Sequence, residues 1–274
     1  MRNSHFKRLV TGFAALPFLI IPIAMGGIWF AALICVACLL AMAEYCRIVF
    51  NPKGDTISAT FLFLAMICGG FAILAAAYLN NTSLMLGIIA ICLIASAMFS
   101  LNRFKSDPYI LENLANQIQA IIYIPLSLSF LLLIRNSELG AHWIFFLLVI
   151  VFAGDIGAYY AGSYLGRHKL CPSVSPGKTI EGSIGGILAN IFVGFLFKIF
   201  FLPQLALGPE LFLFFILVGS CGQAGDLFES MFKRNSGIKD SGNILPGHGG
   251  ILDRIDALLF AAPIAFVFKM YLLV

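Results

Sequence analysis

Nine times along this chain the sequence turns apolar for about 20 residues, the length a helix needs to cross the hydrocarbon of a bilayer. The runs cover roughly 9–26, 28–49, 57–79, 82–101, 117–134, 141–163, 183–202, 207–225 and 256–273. Inside lipid every backbone N–H and C=O must be satisfied within the segment, so runs of this length and hydropathy are expected as helices. The chain is 61% hydrophobic and only 11% charged, with a mean hydropathy of +0.98, which excludes a water-soluble domain. The expected fold is an all-α polytopic membrane protein of about nine transmembrane helices, with no soluble domain left over between them. The first run carries Pro17 and Pro22 and ends near Ala24-Met25-Gly26, a small-x-small pattern that also fits a cleaved signal peptide. A retained, kinked first span is the expectation, and cleavage there would leave the rest of the topology unchanged.

Cations set the orientation. With the N-terminus in the cytoplasm and nine spans alternating, fourteen of the seventeen Lys and Arg residues fall in cytoplasmic segments. Only Arg135 falls on the other side, while Lys198 and Lys269 lie near outer span ends, where long side chains snorkel. The C-terminus is therefore expected outside, in the periplasm. The net charge of +4 is scattered over span ends rather than massed, which argues against a nucleic-acid partner. The seven cysteines lie mostly within apolar runs. Cys35 and Cys38 form a C-x-x-C with no second pair or histidine nearby, and read as small packing residues. Glu44, near the cytoplasmic end of the second span, stands three residues from Arg47 and reads as an interfacial ion pair.

One stretch breaks the apolar monotony. Residues 226–256 hold five of the thirteen carboxylates, Asp226, Glu229, Asp240, Asp253 and Asp256, beside Lys233, Arg234, Lys239 and Arg254. Charge at a membrane is costly and is kept for a purpose. Asp226, Glu229, Ser230 and Lys233 share one face if the eighth span continues as helix. Gly237 is placed to cap that helix, and residues 238–252 follow as a loop rich in Gly and Pro. Asp253 and Asp256 open the last apolar run. Carboxylates on two neighbouring helix ends, surrounded by cations, suit a polyphosphate accompanied by a hard divalent metal. Each residue also has a blander role open to it: Asp253 as a helix cap, the cations as cytoplasmic anchors.

Two further elements stand out. In the sixth span Asp155 and Tyr159 share a face, and an aspartate at that depth needs a partner or a wet cavity. Gly154, Ala158, Gly162 and Gly166 form a small-residue ridge suited to close helix packing, within one chain or between two. Beyond it comes Ser175-Pro-Gly177-Lys178-Thr179-Ile-Glu181-Gly182. Gly-Lys-Thr suggests a P-loop, but that motif requires glycine where Pro172 stands, and a preceding strand. The segment reads instead as an interfacial loop whose amides, Lys178 and Thr179 meet a phosphate at a helix N-terminus. His168 reads as an interfacial residue.

The run Ser230-Met-Phe-Lys233-Arg234, Lys239-Asp240, Pro246-Gly-His248-Gly-Gly, Asp253-Arg254-Ile-Asp256 resembles the signature of the phosphatidate cytidylyltransferase, or CDP-diacylglycerol synthase, family. The match spans about 27 residues without departure. It extends more loosely to Ser-Pro-x-Lys-Thr-x-Glu-Gly at 175–182 and to Asp155-Ile-Gly-Ala-Tyr159. The resemblance implies a nucleotidyltransferase of phospholipid biosynthesis that forms CDP-diacylglycerol and pyrophosphate from CTP and phosphatidic acid. It implies Mg²⁺, with a second cation as an open alternative, held by Asp226 and Asp253 with Asp256 as a third ligand. The candidate catalytic set is Asp226, Lys233, Arg234, Lys239, Asp240, His248, Asp253 and Arg254. Lys178, Thr179, Ser230, Asp155 and Tyr159 are the candidate substrate contacts.

Residues 1–140 are then expected as a transmembrane scaffold of about five spans. Residues 141–274 are expected as the catalytic region, with cytoplasmic loops at 164–182 and 226–255. A bacterial inner-membrane location, a cytoplasm-facing site and a homodimer complete the expectation. A CTP-dependent lipid-alcohol kinase is the alternative from a neighbouring class, and a transporter is the alternative that Asp155 and the broken spans would also suit.

Overall fold

A computed structural model describes residues 16–49, 56–242, 244 and 249–273. A short apolar helix, α1 (Leu16–Met25), comes first. Eight helices long and apolar enough to cross a membrane follow: α2 (Gly27–Val49), α3 (Thr56–Tyr78), α4 (Thr82–Arg103), α5 (Ile110–Asn136), α6 (Gly140–Leu165), α7 (Ile180–Phe201), α8 (Pro209–Asn235) and α9 (Leu252–Leu272). The chain is thus an all-α, multi-pass membrane protein, and nine apolar helices are present among the described residues. The basic leader and the start of the first span lie outside them. Two compact units divide the chain. One holds the described residues up to Asn136 together with Asp240–Leu252, and the other holds Ser137–Lys239 together with the chain from Asp253 onward.

The first unit is packed by large side chains. Tyr45, Met42, Leu62, Met66, Ile73 and Ile121 are essentially inaccessible. The Tyr45 hydroxyl donates to Gln119 Oε1 at 2.7 Å, so its polar end is satisfied within the core. Helix α4 buries only Met85, Ser96 and Ser100, and leaves Leu86, Ile91 and Met98 exposed, a surface suited to lipid. Pro125 falls inside α5, where it removes a donor. The helix accommodates it by widening to a π-turn over Ile122–Leu126 instead of breaking. Arg135, at the end of α5, donates from Nε to Ile23 O (2.7 Å) and from Nη2 to Ala24 O (2.9 Å), covering last-turn carbonyls of α1 that have no helical partner.

The second unit is packed in two styles. At one end Trp143, Phe146, Phe214, Phe215 and Phe268 form an aromatic cluster, with the Phe146 and Phe214 rings stacked 5.7 Å apart. Lys269 belongs to that end, 5.0 Å from the Trp143 ring and 2.5 Å from Glu138 O. Along α6 and α7 the packing is by glycine. A Cβ on Gly186 would sit 2.8 Å from Gly154 O, and one on Gly182 would sit 2.9 Å from Ala158 O. The small-residue ridge of α6 therefore packs within this chain against a matching ridge of α7.

The segment between these helices, expected as a loop, contains a short antiparallel hairpin: β1 (Lys169–Cys171) and β2 (Ser175–Thr179), with Lys169 opposite Thr179. Its strands are too short, and too rich in Pro and Gly, to show an alternating pattern. Helix α8 runs to Asn235, so the predicted continuation through Lys233 is present. It ends as Gly237 was expected to end it. Gly237 has φ +69°, its N–H donates to Arg234 O, and the Ile238 N–H donates to Lys233 O, which together make a Schellman closure.

Candidate active site

A cavity of about 480 Å³ opens in the second unit where α6, β2, α7 and α8 meet. Each element contributes a side chain for a local reason. The helical repeat places Asp155, Tyr159 and Gly162 along one side of α6, all lining the cavity. From the hairpin come Ser175, Gly177 and Lys178. Thr179 ends β2 and caps α7, its Oγ1 accepting from the Gly182 N–H at 3.1 Å, and this fixes where the hairpin stops and the helix begins. Helix α8 adds Gln223 and Asp226. Gln223 bonds twice to Ser183 of α7, through its Nε2 to Ser183 O at 3.0 Å and through its Oε1 to the Ser183 hydroxyl.

The Lys178 ammonium sits 2.6 Å from Asp226 Oδ2, and Asp226 Oδ1 accepts from Ser230 Oγ at 3.4 Å. Both side chains of the ion pair remain partly open to the cavity. Asp256 comes close through helix packing: a Cβ on Gly225 would collide with the Asp256 backbone carbonyl, so α8 and α9 touch backbone to backbone at this level. Asp155, Asp226 and Asp256 lie within electrostatic reach of one another, and Lys178 and Arg254 act on Asp155 from the other direction. Three acids and two cations gathered near one cavity make a mixed-charge site, with groups of both signs available to a charged ligand.

One turn along α8 a second cluster is buried. Lys233 Nζ is 2.5 Å from Glu229 Oε2 and 2.7 Å from Asp253 Oδ1, tying α8 to the first turn of α9. Glu229 is wholly inaccessible and its Oε1 has no hydrogen bond. Arg234 donates from Nε to Val174 O (3.1 Å) and from Nη1 to Ile238 O (3.4 Å), holding the hairpin turn against the end of α8. Glu181 accepts from the Arg167 and His168 amides and from His168 Nδ1 at 2.6 Å, closing the connection from α6 into the hairpin.

Of the residues singled out in the sequence, Asp155, Tyr159, Lys178, Thr179 and Asp226 line one cavity, and Asp256 and Arg254 bear on it electrostatically. Ser230 stands beneath Asp226. Lys233 and Asp253 meet each other rather than the cavity. Lys239, Arg234 and Asp240 are exposed, and His248 lies outside the described residues. Among the described residues, no group of three or more His, Cys, Asp or Glu side chains is disposed to hold a metal by itself. Sequence reasoning placed Glu229 on one face with Asp226 and Lys233 but gave it no role, and it passed over Gln223 and Ser183. For Glu229 the signal was present, in its spacing of four from Lys233.

Comparison with known proteins now becomes decisive, because residues 6–272 match the model of the cytidylyltransferase family. The chain belongs to that family. Among curated relatives, a phosphatidate cytidylyltransferase of Staphylococcus haemolyticus is 33% identical over 258 residues, covering 94% of this chain and 96% of the relative. One from Bacillus subtilis is 43% identical over 150 residues, and one from Staphylococcus saprophyticus is 40% identical over 172. These two matches span 55% and 63% of the respective relatives' length. The similarity is thus densest over part of the chain, while the family relation reaches across nearly all of it.

Proposed function

We propose that this chain is a CTP:phosphatidate cytidylyltransferase, converting phosphatidic acid and CTP to CDP-diacylglycerol and pyrophosphate in phospholipid biosynthesis. The observation that carries the reading is the Lys178–Asp226 pair in the cavity wall. It joins the Ser-Pro-x-Lys-Thr element to the long acidic and basic signature in one place, at the ends of membrane-capable helices. A phosphate monoester oxygen of the lipid attacks the α-phosphorus of CTP, a new P–O bond forms, and the bond to pyrophosphate breaks opposite it. Phosphatidate already carries the attacking oxyanion, so the demand on the protein is to bring two anions together and hold them in line.

Lys178 and the amides around Thr179 receive the lipid phosphate in this reading. Arg254, with Lys239, neutralises the nucleotide phosphates. Lys233 fixes Asp253 and so sets the first turn of α9. Tyr159 and Asp155 shape the wall beside the reacting phosphates. The donor set fits Mg²⁺: that ion takes hard oxygens and is commonly held by one or two carboxylates with substrate phosphates completing its shell, so a three-carboxylate cage is not required. Asp226 and Asp256 would hold it, with Asp253, which here pairs with Lys233, as a further candidate ligand. When bound it supplies charge neutralisation and a template for the phosphates. The acyl chains remain in the bilayer. The same reading places the protein in a bacterial inner membrane as a homodimer, with the cavity facing the cytoplasm.

The deciding experiment incubates purified protein with phosphatidate, labelled CTP and Mg²⁺ and identifies both products. CDP-diacylglycerol with pyrophosphate is expected, and activity should vanish in excess EDTA and return with Mg²⁺. Release of CDP with a phosphorylated lipid, when a lipid alcohol such as diacylglycerol replaces phosphatidate, would instead establish a kinase.

A further inference from the structure

Glu44, on the last turns of α2, is completely buried. It was expected to pair with Arg47, yet no such ion pair forms among the described residues. Its carboxylate is turned to the glycine-rich segment of the same unit. Oε2 accepts from Ser241 Oγ at 3.0 Å and from the Leu252 amide at 2.8 Å, and Oε1 accepts from the Ile251 amide at 3.1 Å. The two glycines flanking these contacts are required by the space. A Cβ on Gly242 would stand 2.5 Å from Glu44 Oε1, and one on Gly250 would collide with Ser241 Oγ and Glu44 Oε2.

A carboxylate taken fully out of water persists only where donors replace the lost hydration. Among the described residues three donors do so, none of them charged, and all come from the two ends of one segment. Two of them, the Ile251 and Leu252 amides, belong to the start of α9, where N–H groups have no helical acceptor. A negative charge there is also favoured by the helix dipole. One side chain therefore ties Ser241 to Ile251 and Leu252 and caps the helix that follows. The residues adjoining the two anchor points are Asp240 before Ser241, and Asp253-Arg254 after Leu252.

We propose that Glu44 is a positioning residue for nucleotide binding: it fixes both ends of the 241–251 segment, and with them the register of the first turn of α9 that carries Asp253 and Arg254. The inference rests on the proposed cytidylyl transfer for its kinetic consequence, but not for the clamp itself. Glu44 touches no substrate and acts through the residues it holds.

The test uses the full chain with Glu44→Gln and Glu44→Asp. Glutamine keeps the volume but offers one acceptor oxygen and turns an N–H₂ toward the amides, so the clamp fails without creating a hole. Aspartate keeps both acceptors on a shorter arm. Glu44→Gln is expected to raise KM for CTP about tenfold or more, as the loss of one charge-assisted hydrogen bond implies. KM for phosphatidate should stay near wild type, and Glu44→Asp should recover part of the loss. Hydrogen exchange at the Ile251 and Leu252 amides should quicken about tenfold in Glu44→Gln. Wild-type kinetics and exchange in Glu44→Gln would overturn the proposal. So would an equal loss for both substrates that Glu44→Asp does not relieve, the pattern of a purely structural role. Should the wild-type protein make no CDP-diacylglycerol, the exchange measurement still decides the clamp, so the two readings fail separately.

Discussion

Glu44 in the first unit and Glu229 in the second are both shielded completely from solvent, yet they are held in opposite ways. Among the described residues Glu44 has three neutral donors, two of them backbone amides, and both oxygens are engaged. Glu229 has one charged donor, Lys233, which it shares with Asp253, and one of its oxygens makes no hydrogen bond. A carboxylate tied to amides is fixed as firmly as the backbone itself. A carboxylate tied to a lysine that also serves another acid depends on that one side chain. The same functional group is thus buried in two ways, and the donors decide how firmly it is held.

Removing a carboxylate from the second region has the largest expected effect. Asp226→Asn should lower cytidylyl transfer by about a hundredfold to a thousandfold or more, the scale of losing one electrostatic element of a phosphoryl-transfer site. The protein should still insert and purify, as judged by membrane fractionation and size-exclusion profiles. Near-normal turnover would remove Asp226 from the chemistry. Next in size is the lysine that the second region depends on. Lys233→Met strands Glu229 and Asp253 and should cost about 3–5 kcal/mol, read as a lowered thermal midpoint in detergent. Adding Glu229→Gln should return part of it, because the stranded charge is then gone. A double variant no better than the single one would show that Lys233 acts on Asp253 alone.

Smaller effects sharpen the contrast. Ser241→Ala removes one donor to Glu44 and should cost about 1.5 kcal/mol, with little change in kcat. A large kcat effect would bring the clamp into the chemistry itself. Thr179→Ala should cost about 1 kcal/mol through loss of the α7 cap, and Thr179→Ser should retain most of the stability, measured by the same thermal shift.

Much of this was legible in advance, and the reasons are physical. Apolar length forces helices, so the spans were found. The ends shifted where polar residues belong to a helix: α5 begins at Ile110, well before the apolar run at 117, because its first turns bury Asn113 and Gln117 inside the protein. Gly237 was readable because only a residue at ease with positive φ closes a helix in that way. The hairpin at 169–179 was not, since three- and five-residue strands carry no period. The role of Glu44 was hidden for another reason. Its partners lie about two hundred residues away, and a local rule pointed to Arg47. In the site, motif spacing brought Asp155, Lys178 and Asp226 to one list but said nothing of who pairs with whom. That Lys233 turns to two acids, and Lys178 to Asp226, emerges only from the packing of α8 against its neighbours.

Thr179 closes a strand, opens a helix and fills the space beside Gly162, where its Oγ1 would lie 3.1 Å from an added Cβ. Lys178 is the residue just before it, so its ammonium hangs from a joint without a hinge. If Lys178 receives the lipid phosphate as proposed, an arriving headgroup would meet a cation already aimed, with little rotational freedom left to lose at the moment of capture.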